Sequence, residues 1–203
     1  MADWDTDSPQ LYLNLEGVVQ RLVKEAPHRP PLDRETARRW QADTLRGLST
    51  PYPQAIARYR GEPGLETAEV HVGGLPGVPA PAVSSALTEF ETRLCRGLEL
   101  LDQAVLPGQF PDADQVGAIL RLCAWAHAEW VRIHPFGNGN GRTARLWVNC
   151  IALRYGLPPF LVLRPRPGGD YALVGTAAMH GDWRATVPVL RRELLRHLGL
   201  PVS

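Results

Sequence analysis

A short segment, Ile133–Arg145, brings together one histidine, three glycines and two arginines. Closely spaced glycines let the backbone take positive φ angles and turn successive N–H groups towards one point, an arrangement that binds anions. The helical pattern that begins after the last glycine adds further N–H groups and the positive end of a helix dipole. Both features favour a bound phosphate group.

Arg142 and Arg145 support the same interpretation. In the first turns of a helix a cation is repelled by the dipole, at a cost of about 0.3–1 kcal/mol, so two arginines there suggest an anion. Three positions apart, they share one helical face. The alternative is that Asn140 caps the helix and both arginines lie in solvent. The coincidence with His134 favours the phosphate site.

His134 precedes the glycines by a few residues, so its imidazole can lie beside a phosphate held there. With an ordinary pKa of about 6.5 it suits a general base at neutral pH. A lone histidine is more often structural, but the neighbouring glycines and arginines favour a catalytic role for His134. Phe136 is interpreted as a core residue that anchors the loop.

The composition describes one globular domain: 203 residues, 44% hydrophobic and 21% charged. A net charge of +1, from 22 basic and 21 acidic residues, gives no basic field and argues against nucleic-acid binding. The apolar runs are far shorter than a membrane span of roughly 20 residues, and the N-terminus Met1–Asp5 is acidic. We therefore expect a soluble, unexported, cytoplasmic protein without a membrane partner.

Three cysteines are widely separated along the chain: Cys95, Cys123 and Cys150. This spacing fits neither a zinc site nor a disulfide framework, and we expect all three to be buried, reduced residues.

Apolar residues at helical spacing predict seven helices. They cover roughly residues 9–25, 33–45, 81–106, 114–131, 141–155, 171–179 and 183–198. Asp182 is expected to cap the last of them. Between Leu65 and Val72 the pattern alternates with period two before Gly73 and Gly74, which predicts one short strand or hairpin. The expected fold is mostly helical with one small β element.

The loop resembles the signature of the Fic family, which includes the Doc branch: His-x-Phe-x-Asp/Glu-Gly-Asn-Gly, then arginines. The chain matches it at His134, Phe136, Gly139, Asn140, Gly141, Arg142 and Arg145. The resemblance extends from about Tyr59 to Leu195. It implies a single all-α Fic-type domain with a β-hairpin flap, with a core at 59–198 and an N-terminal helical extension, 1–50, of regulatory character.

The resemblance implies nucleotidyl transfer, most often of AMP from ATP to a hydroxyl of a target protein. By position, His134 would be the general base, and Arg142 and Arg145 would hold the polyphosphate. The anion-binding nest would be formed by Gly139, Asn140 and Gly141. These roles fit phosphoryl chemistry, which depends on positioning, charge stabilisation and one base.

Other parts of the family pattern are less specific. The segment 66–72 resembles the flap that aligns a target by strand pairing, although an ordinary surface hairpin is equally consistent. Tyr171 lies where such proteins often place a residue against the nucleobase, with a core tyrosine as the alternative. His127, seven positions before His134, is expected to be a packed structural histidine.

The chain departs from the signature at Asn138, where the family has the acidic ligand of magnesium. A neutral amide oxygen is a weaker Mg²⁺ ligand. Either the triphosphate holds most of the metal, or the donor is not an ordinary magnesium nucleotide, or transfer is slow.

Inhibition in the family implies a further site residue. Many members carry an inhibitory helix whose glutamate pairs with the last arginine of the signature. Residues 12–17 match that pattern only at Glu16 and Gly17. One hypothesis is that Glu16 folds back on Arg145; the alternatives are a glutamate on the helix surface, or a separate inhibitor chain as in a toxin–antitoxin pair.

Two other function classes stay open. One is another transfer on the same frame, either Doc-like phosphotransfer or transfer to a small molecule, although Doc-like members usually have Lys where this chain has Gly141. The other is a non-catalytic module that binds a nucleotide or a partner, which Asn138 favours. The sequence identifies neither the target nor the nucleobase.

Overall fold

The computed structural model describes residues 8–202, which form seven α-helices and one small antiparallel sheet. The helices are α1 (Pro9–Glu25), α2 (Arg34–Thr44), α3 (Val83–Ala104), α4 (Ala113–Ile133), α5 (Asn140–Arg154), α6 (Tyr171–Met179) and α7 (Thr186–His197). The predicted mostly helical fold is confirmed. The acidic N-terminal residues discussed above lie outside the described part of the chain.

Helix α5 is the centre of the fold, because its residues are buried on every side except at Gly141. A helix that is buried on nearly every face, its polar residues included, must be surrounded by other elements. Here α4 packs along it most extensively, and α1 and α2 also contact it. Trp147 of α5 meets Trp40 of α2 edge-on, with ring centroids 4.8 Å apart, and contacts Phe90 of α3. The helices of the N-terminal extension thus share the main core.

The predicted hairpin forms between β1 (His71–Val72) and β2 (Leu75–Pro76), joined by Gly73 and Gly74, both at positive φ. Two such residues are typical of a tight hairpin turn. The strands are shorter than the alternating pattern from Leu65 predicts. Residues 60–67 form turns closed by their own main-chain hydrogen bonds instead, and the buried side chain of Arg60 donates a further hydrogen bond to the Ala68 carbonyl oxygen at 3.1 Å.

Helix α7 begins at Thr186, three residues later than predicted. Proline is tolerated only in the first turn of a helix, because it lacks an N–H and its ring meets the carbonyl four residues earlier. Pro188 therefore fixes the start of α7 near Thr186. The side chain of Asp182 accepts hydrogen bonds from the Arg184 and Ala185 N–H groups in the preceding turn, so its assignment as the helix cap was wrong.

The three cysteines are free, but only Cys123 and Cys150 are buried. Cys95 is exposed because it lies beside the apolar stripe of α3 rather than in it, so that part of the prediction was wrong. None of the helices in residues 8–202 has the length and apolarity that a membrane crossing requires.

Candidate active site

His134 ends helix α4 in an unusual backbone conformation. Its φ and ψ are 51° and 56°, in the left-handed region, and its N–H donates to the Trp130 carbonyl oxygen. This conformation, rare for residues other than glycine, turns the chain out of α4 and into the loop. The Nδ1 atom lies 3.1 Å from the Val131 carbonyl oxygen. A carbonyl only accepts, so Nδ1 carries the proton and Nε2 is the basic nitrogen.

The electrostatic surroundings keep this imidazole neutral. Burial is the main cause that lowers the pKa of His134 to about 4; the hydrogen bond to the Val131 carbonyl acts in the opposite direction, and the nearby Arg60 guanidinium adds a smaller lowering effect. At neutral pH the ring is therefore unprotonated and able to accept a proton at Nε2.

Arg60, which the sequence did not single out, holds the His134 loop from behind. Its guanidinium donates to four main-chain oxygens, at 2.7–3.1 Å: those of His134, Ile133, Ala68 and Val78. The Arg60 N–H also donates to the Pro135 oxygen at 2.8 Å. The side chain is 2% exposed. Arg60 thereby joins the base of the hairpin to the end of α4.

Gly77 completes this contact. A Cβ atom at this position would lie 3.0 Å from the His134 Cβ and 3.2 Å from the Arg60 Nη2. Contacts that short are tighter than those that side chains normally make in a packed core. The absence of a side chain at residue 77 therefore lets the segment after β2 approach His134 this closely without displacing it.

The loop after His134 is closed by the side chain of Asn140. Its Oδ1 accepts from the Phe136 N–H at 2.9 Å, and its Nδ2 donates to the Phe136 carbonyl at 2.7 Å. Phe136 is fully buried and stacks on Tyr59, with ring centroids 4.6 Å apart. Gly139, at φ 89°, is the residue that precedes α5. Asn140 therefore shapes the nest and is not the helix cap, and a phosphate there would meet its main-chain N–H.

Both arginines of the motif are buried, at 4% exposure for Arg142 and 5% for Arg145, so the alternative in which they lie in solvent was wrong. Arg145 donates from Nη2 to the Leu163 carbonyl oxygen at 2.8 Å, and its Nη1 is 3.5 Å from the Tyr171 hydroxyl. Its Nε has no hydrogen-bond partner among residues 8–202. A buried donor of this kind is suited to an anionic acceptor.

Asn138 is held from two sides. Its Oδ1 accepts a hydrogen bond from the Arg142 Nη2 at 2.8 Å, and its main-chain oxygen lies 3.4 Å from the Nε2 of Gln41. Gln41 belongs to α2 and also accepts from the Ala57 N–H. The N-terminal extension therefore supports the loop directly, through a residue that the sequence did not indicate.

These groups surround one cavity of about 530 Å³. The residues of the motif that line it are His134, Gly139, Asn140, Gly141, Arg142 and Arg145. Hairpin residues 69–73 and the two further arginines Arg164 and Arg166 also line it. The structure thus brings the predicted base, nest, arginines and flap segment together.

Tyr171 and His127 form a buried pair at the edge of this cavity. The His127 Nε2 lies 2.6 Å from the Tyr171 hydroxyl oxygen, and the Arg145 guanidinium lies 5.9 Å from the centre of the tyrosine ring. Burial lowers the pKa of His127 to about 3, with smaller contributions from Arg145 and Arg166, so the ring is neutral. Both residues line the cavity, although Tyr171 is only 5% exposed.

A magnesium ion, which the resemblance implies, does not fit the side chains present. Mg²⁺ prefers anionic oxygens, and the motif offers one amide oxygen that already accepts from a guanidinium. No cluster of three or more acidic, histidine or cysteine side chains within residues 8–202 is arranged to hold a metal.

Glu16 is not brought to Arg145. It is exposed on α1 and accepts a hydrogen bond from the Gln20 amide at 3.3 Å, while Arg145 is bound to Leu163 and Tyr171. In this structure Glu16 matches the alternative of a glutamate on the helix surface.

Part of the chain is similar in sequence to known proteins. The chain is 41% identical to a protein adenylyltransferase Fic of Nematostella vectensis over 73 residues, which is 36% of this chain and 17% of that protein. It is 49% identical to a protein of the same name from Culex quinquefasciatus over 68 residues, 34% of this chain and 13% of that protein. The chain thus matches only a small part of these relatives.

Solved structures share the fold over nearly the whole chain. A Fic domain containing signaling protein from Bacteroides thetaiotaomicron superposes with a TM-score of 0.63 and 17% identity, covering 98% of this chain and 78% of that one. The BepC protein of Bartonella tribocorum, a VirB-translocated effector solved with bound AMPPNP, gives a TM-score of 0.59 and 16% identity, covering 89% and 84%.

The family model described as Fic/DOC family matches residues 31–152, more than half of the chain and all of the loop from His134 to Arg145. With the fold and the motif geometry, this match establishes that the chain belongs to the Fic/DOC family.

Proposed function

We propose that this protein is a nucleotidyltransferase that moves a nucleoside monophosphate, AMP from ATP in the first instance, to a hydroxyl side chain of a target protein. The observation that carries the proposal is the position of His134: its Nδ1 bonds to the Val131 carbonyl, which leaves Nε2 as the basic nitrogen, and the residue lines the cavity that also contains a helix N-terminus and buried arginines. The names of the similar adenylyltransferases support the donor and the acceptor.

The proposed reaction uses the chain's own residues throughout. The Nε2 of His134 takes the proton of the target hydroxyl, and that oxygen attacks the α-phosphorus. The bond from this phosphorus to the bridging oxygen breaks, and pyrophosphate leaves with the bonding electron pair. The N–H groups of Gly139–Gly141 and the guanidinium of Arg145 stabilise the charge on the phosphates. Tyr171 is proposed to line the site of the nucleobase.

The hairpin is proposed to position the target. Residues 69–73 line the cavity that contains His134, and among residues 8–202 β1 pairs with β2 along one edge only. An extended segment of a target can pair with the remaining edge of a short strand. The target hydroxyl would then be presented to His134.

The test is to incubate the protein with each α-³²P-labelled nucleoside triphosphate and a cell lysate. We expect labelled protein with the wild type, none with His134→Ala, and unchanged labelling with the control His197→Ala, an exposed histidine at the end of α7. Label transfer that persists in His134→Ala would refute the assignment of the base.

The same assay separates the other reaction classes. Label transferred from γ-³²P-labelled but not from α-³²P-labelled nucleotide would indicate Doc-like phosphotransfer instead, and label in a small-molecule fraction would indicate a small-molecule acceptor. Asn138 favours one further candidate, a non-catalytic module that binds nucleotide or a partner. Binding of ATP with no transfer of either label would support it. Copurification with a second chain that suppresses labelling would support a separate inhibitor, as in a toxin–antitoxin pair.

A further inference from the structure

Asn138 occupies the position where the family has its acidic magnesium ligand. The side chain bound to it, that of Arg142, is positively charged, whereas a metal site needs negative charge. The amide oxygen of Asn138 accepts a hydrogen bond from the Arg142 guanidinium at 2.8 Å, and both residues are nearly fully buried. A cation that bound this oxygen would lie next to the Arg142 guanidinium, and the two positive charges would repel each other. We infer that Arg142, oriented by Asn138, neutralises donor phosphate charge in place of Mg²⁺, and that the site binds a metal-free nucleoside triphosphate.

The charge of the cavity supports this inference. Four arginines line it, at positions 142, 145, 164 and 166, and within the described residues one carboxylate, that of Glu69, lines it with them. The N-terminus of α5 adds its positive dipole end. A triphosphate without metal carries a charge of about −4, which a cluster of arginines and a helix N-terminus can balance.

Arg145 provides an independent indication that the ligand is an anion. Its guanidinium is buried, forms no ion pair with a carboxylate in residues 8–202, and leaves the Nε donor without a hydrogen-bond partner there. Buried charged groups normally have counterions. The phosphates of a bound nucleotide would supply one.

The inference rests on the proposed function only in taking a nucleoside triphosphate as the ligand. It predicts a dependence on magnesium opposite to that of a site with an acidic metal ligand. Because Mg²⁺ bound to ATP removes negative charge from the ligand, it should leave binding unchanged or weaken it here.

The experiment is isothermal titration calorimetry of ATP into the purified protein, once with excess EDTA and once with excess MgCl₂, at equal ionic strength. We expect the wild type to bind equally well or more tightly in EDTA. Asn138→Asp restores the acidic ligand and should reverse the order, with binding that is stronger in magnesium. Arg142→Gln should weaken binding in EDTA by about tenfold, the effect of one lost charged hydrogen bond. The control Arg191→Gln removes an exposed arginine of α7 and should leave binding unchanged.

Tenfold tighter wild-type binding in magnesium than in EDTA would overturn the inference, and so would absence of ATP binding in both conditions. The labelling assay keeps this failure separate from failure of the proposed function. Transfer from α-labelled ATP only in the presence of magnesium would contradict metal-free binding but support the transferase function. Tight binding of ATP in EDTA without any transfer of label would support metal-free binding but contradict the transferase function.

Discussion

The guanidinium of Arg60 donates a hydrogen bond of 2.8 Å to the main-chain oxygen of His134, the residue that leaves helix α4 in a left-handed conformation. Left-handed backbone is unfavourable for a residue with a side chain. It persists where surrounding contacts fix it. Arg60 supplies such contacts at Ile133, His134 and Pro135 and has no carboxylate partner in residues 8–202. Its role is therefore to position the base.

We predict that Arg60→Met will lower the free energy of unfolding by about 3 kcal/mol, because buried carbonyl oxygens lose their donor. Arg60→Lys keeps the charge but cannot reach all four oxygens, so it should fold and transfer label more slowly while binding nucleotide normally. Urea denaturation, calorimetry and the labelling assay measure these effects. Arg58→Met, at an exposed position two residues away, is the control.

Rescue distinguishes positioning from general stability. Guanidinium ion at a concentration below denaturation should restore part of the transfer rate of Arg60→Ala, because the truncated side chain leaves room for the ion beside the four carbonyl oxygens. If Arg60→Ala transferred label at the wild-type rate with no guanidinium added, a role of Arg60 in placing His134 would be contradicted.

Gly77→Ala tests the same contact from the hairpin side. The new methyl group would lie 3.0 Å from the His134 Cβ, so either His134 or the hairpin must move. The required shift is a few tenths of an ångström; because displacements near 1 Å can cost about a hundredfold in rate, we expect kcat to fall severalfold with ATP affinity unchanged. Gly17→Ala is the matched control: no atom lies within 4 Å of the added group. In helix α1 it should stabilise by about 0.5–1 kcal/mol.

The role of Gly139 could be predicted from the sequence, because it belongs to the glycine-rich loop, whereas the role of Gly77 could not. The helices, the hairpin turn and the loop from His134 to Arg145 follow local patterns of apolar spacing, glycine and proline. Arg60 and Gln41 act on atoms 74 and 97 positions away. No local pattern links such residues to the loop, and Gly77 reads as an ordinary turn residue until the approach to His134 is known.

The contacts of Glu16 lead to a prediction about regulation. Because Glu16 is exposed and hydrogen-bonded to Gln20 on its own helix, we expect Glu16→Gly to leave the rate of label transfer unchanged. Calorimetry should likewise show unchanged ATP affinity. A severalfold increase in either quantity would mean that Glu16 reaches the site in another conformation, and would revive the hypothesis that it blocks Arg145.

The lowered pKa of His134 predicts how stability depends on pH. The unfolded chain binds a proton at this histidine below its ordinary pKa of about 6.5, whereas the folded protein does so only near 4. Acidification between these values therefore favours the unfolded state, by up to about 3 kcal/mol. The free energy of unfolding of the wild type should fall more steeply across this window than that of His134→Gln, since other groups titrate alike in both. Parallel curves for the two proteins would contradict the lowered pKa.

The pH dependence of the transfer rate should report the same lowered pKa of His134. Because kcat/KM reports the free enzyme, its acid limb should lie near pH 4, and kcat/KM should be flat from about pH 6 to 8. Bound phosphates favour the protonated imidazole, so the acid limb of kcat should lie at higher pH than that of kcat/KM. Steady-state label transfer across this range measures both. An acid limb of kcat/KM at about 6.5 would mean that His134 is solvated in the free protein and is not held in the buried site described here.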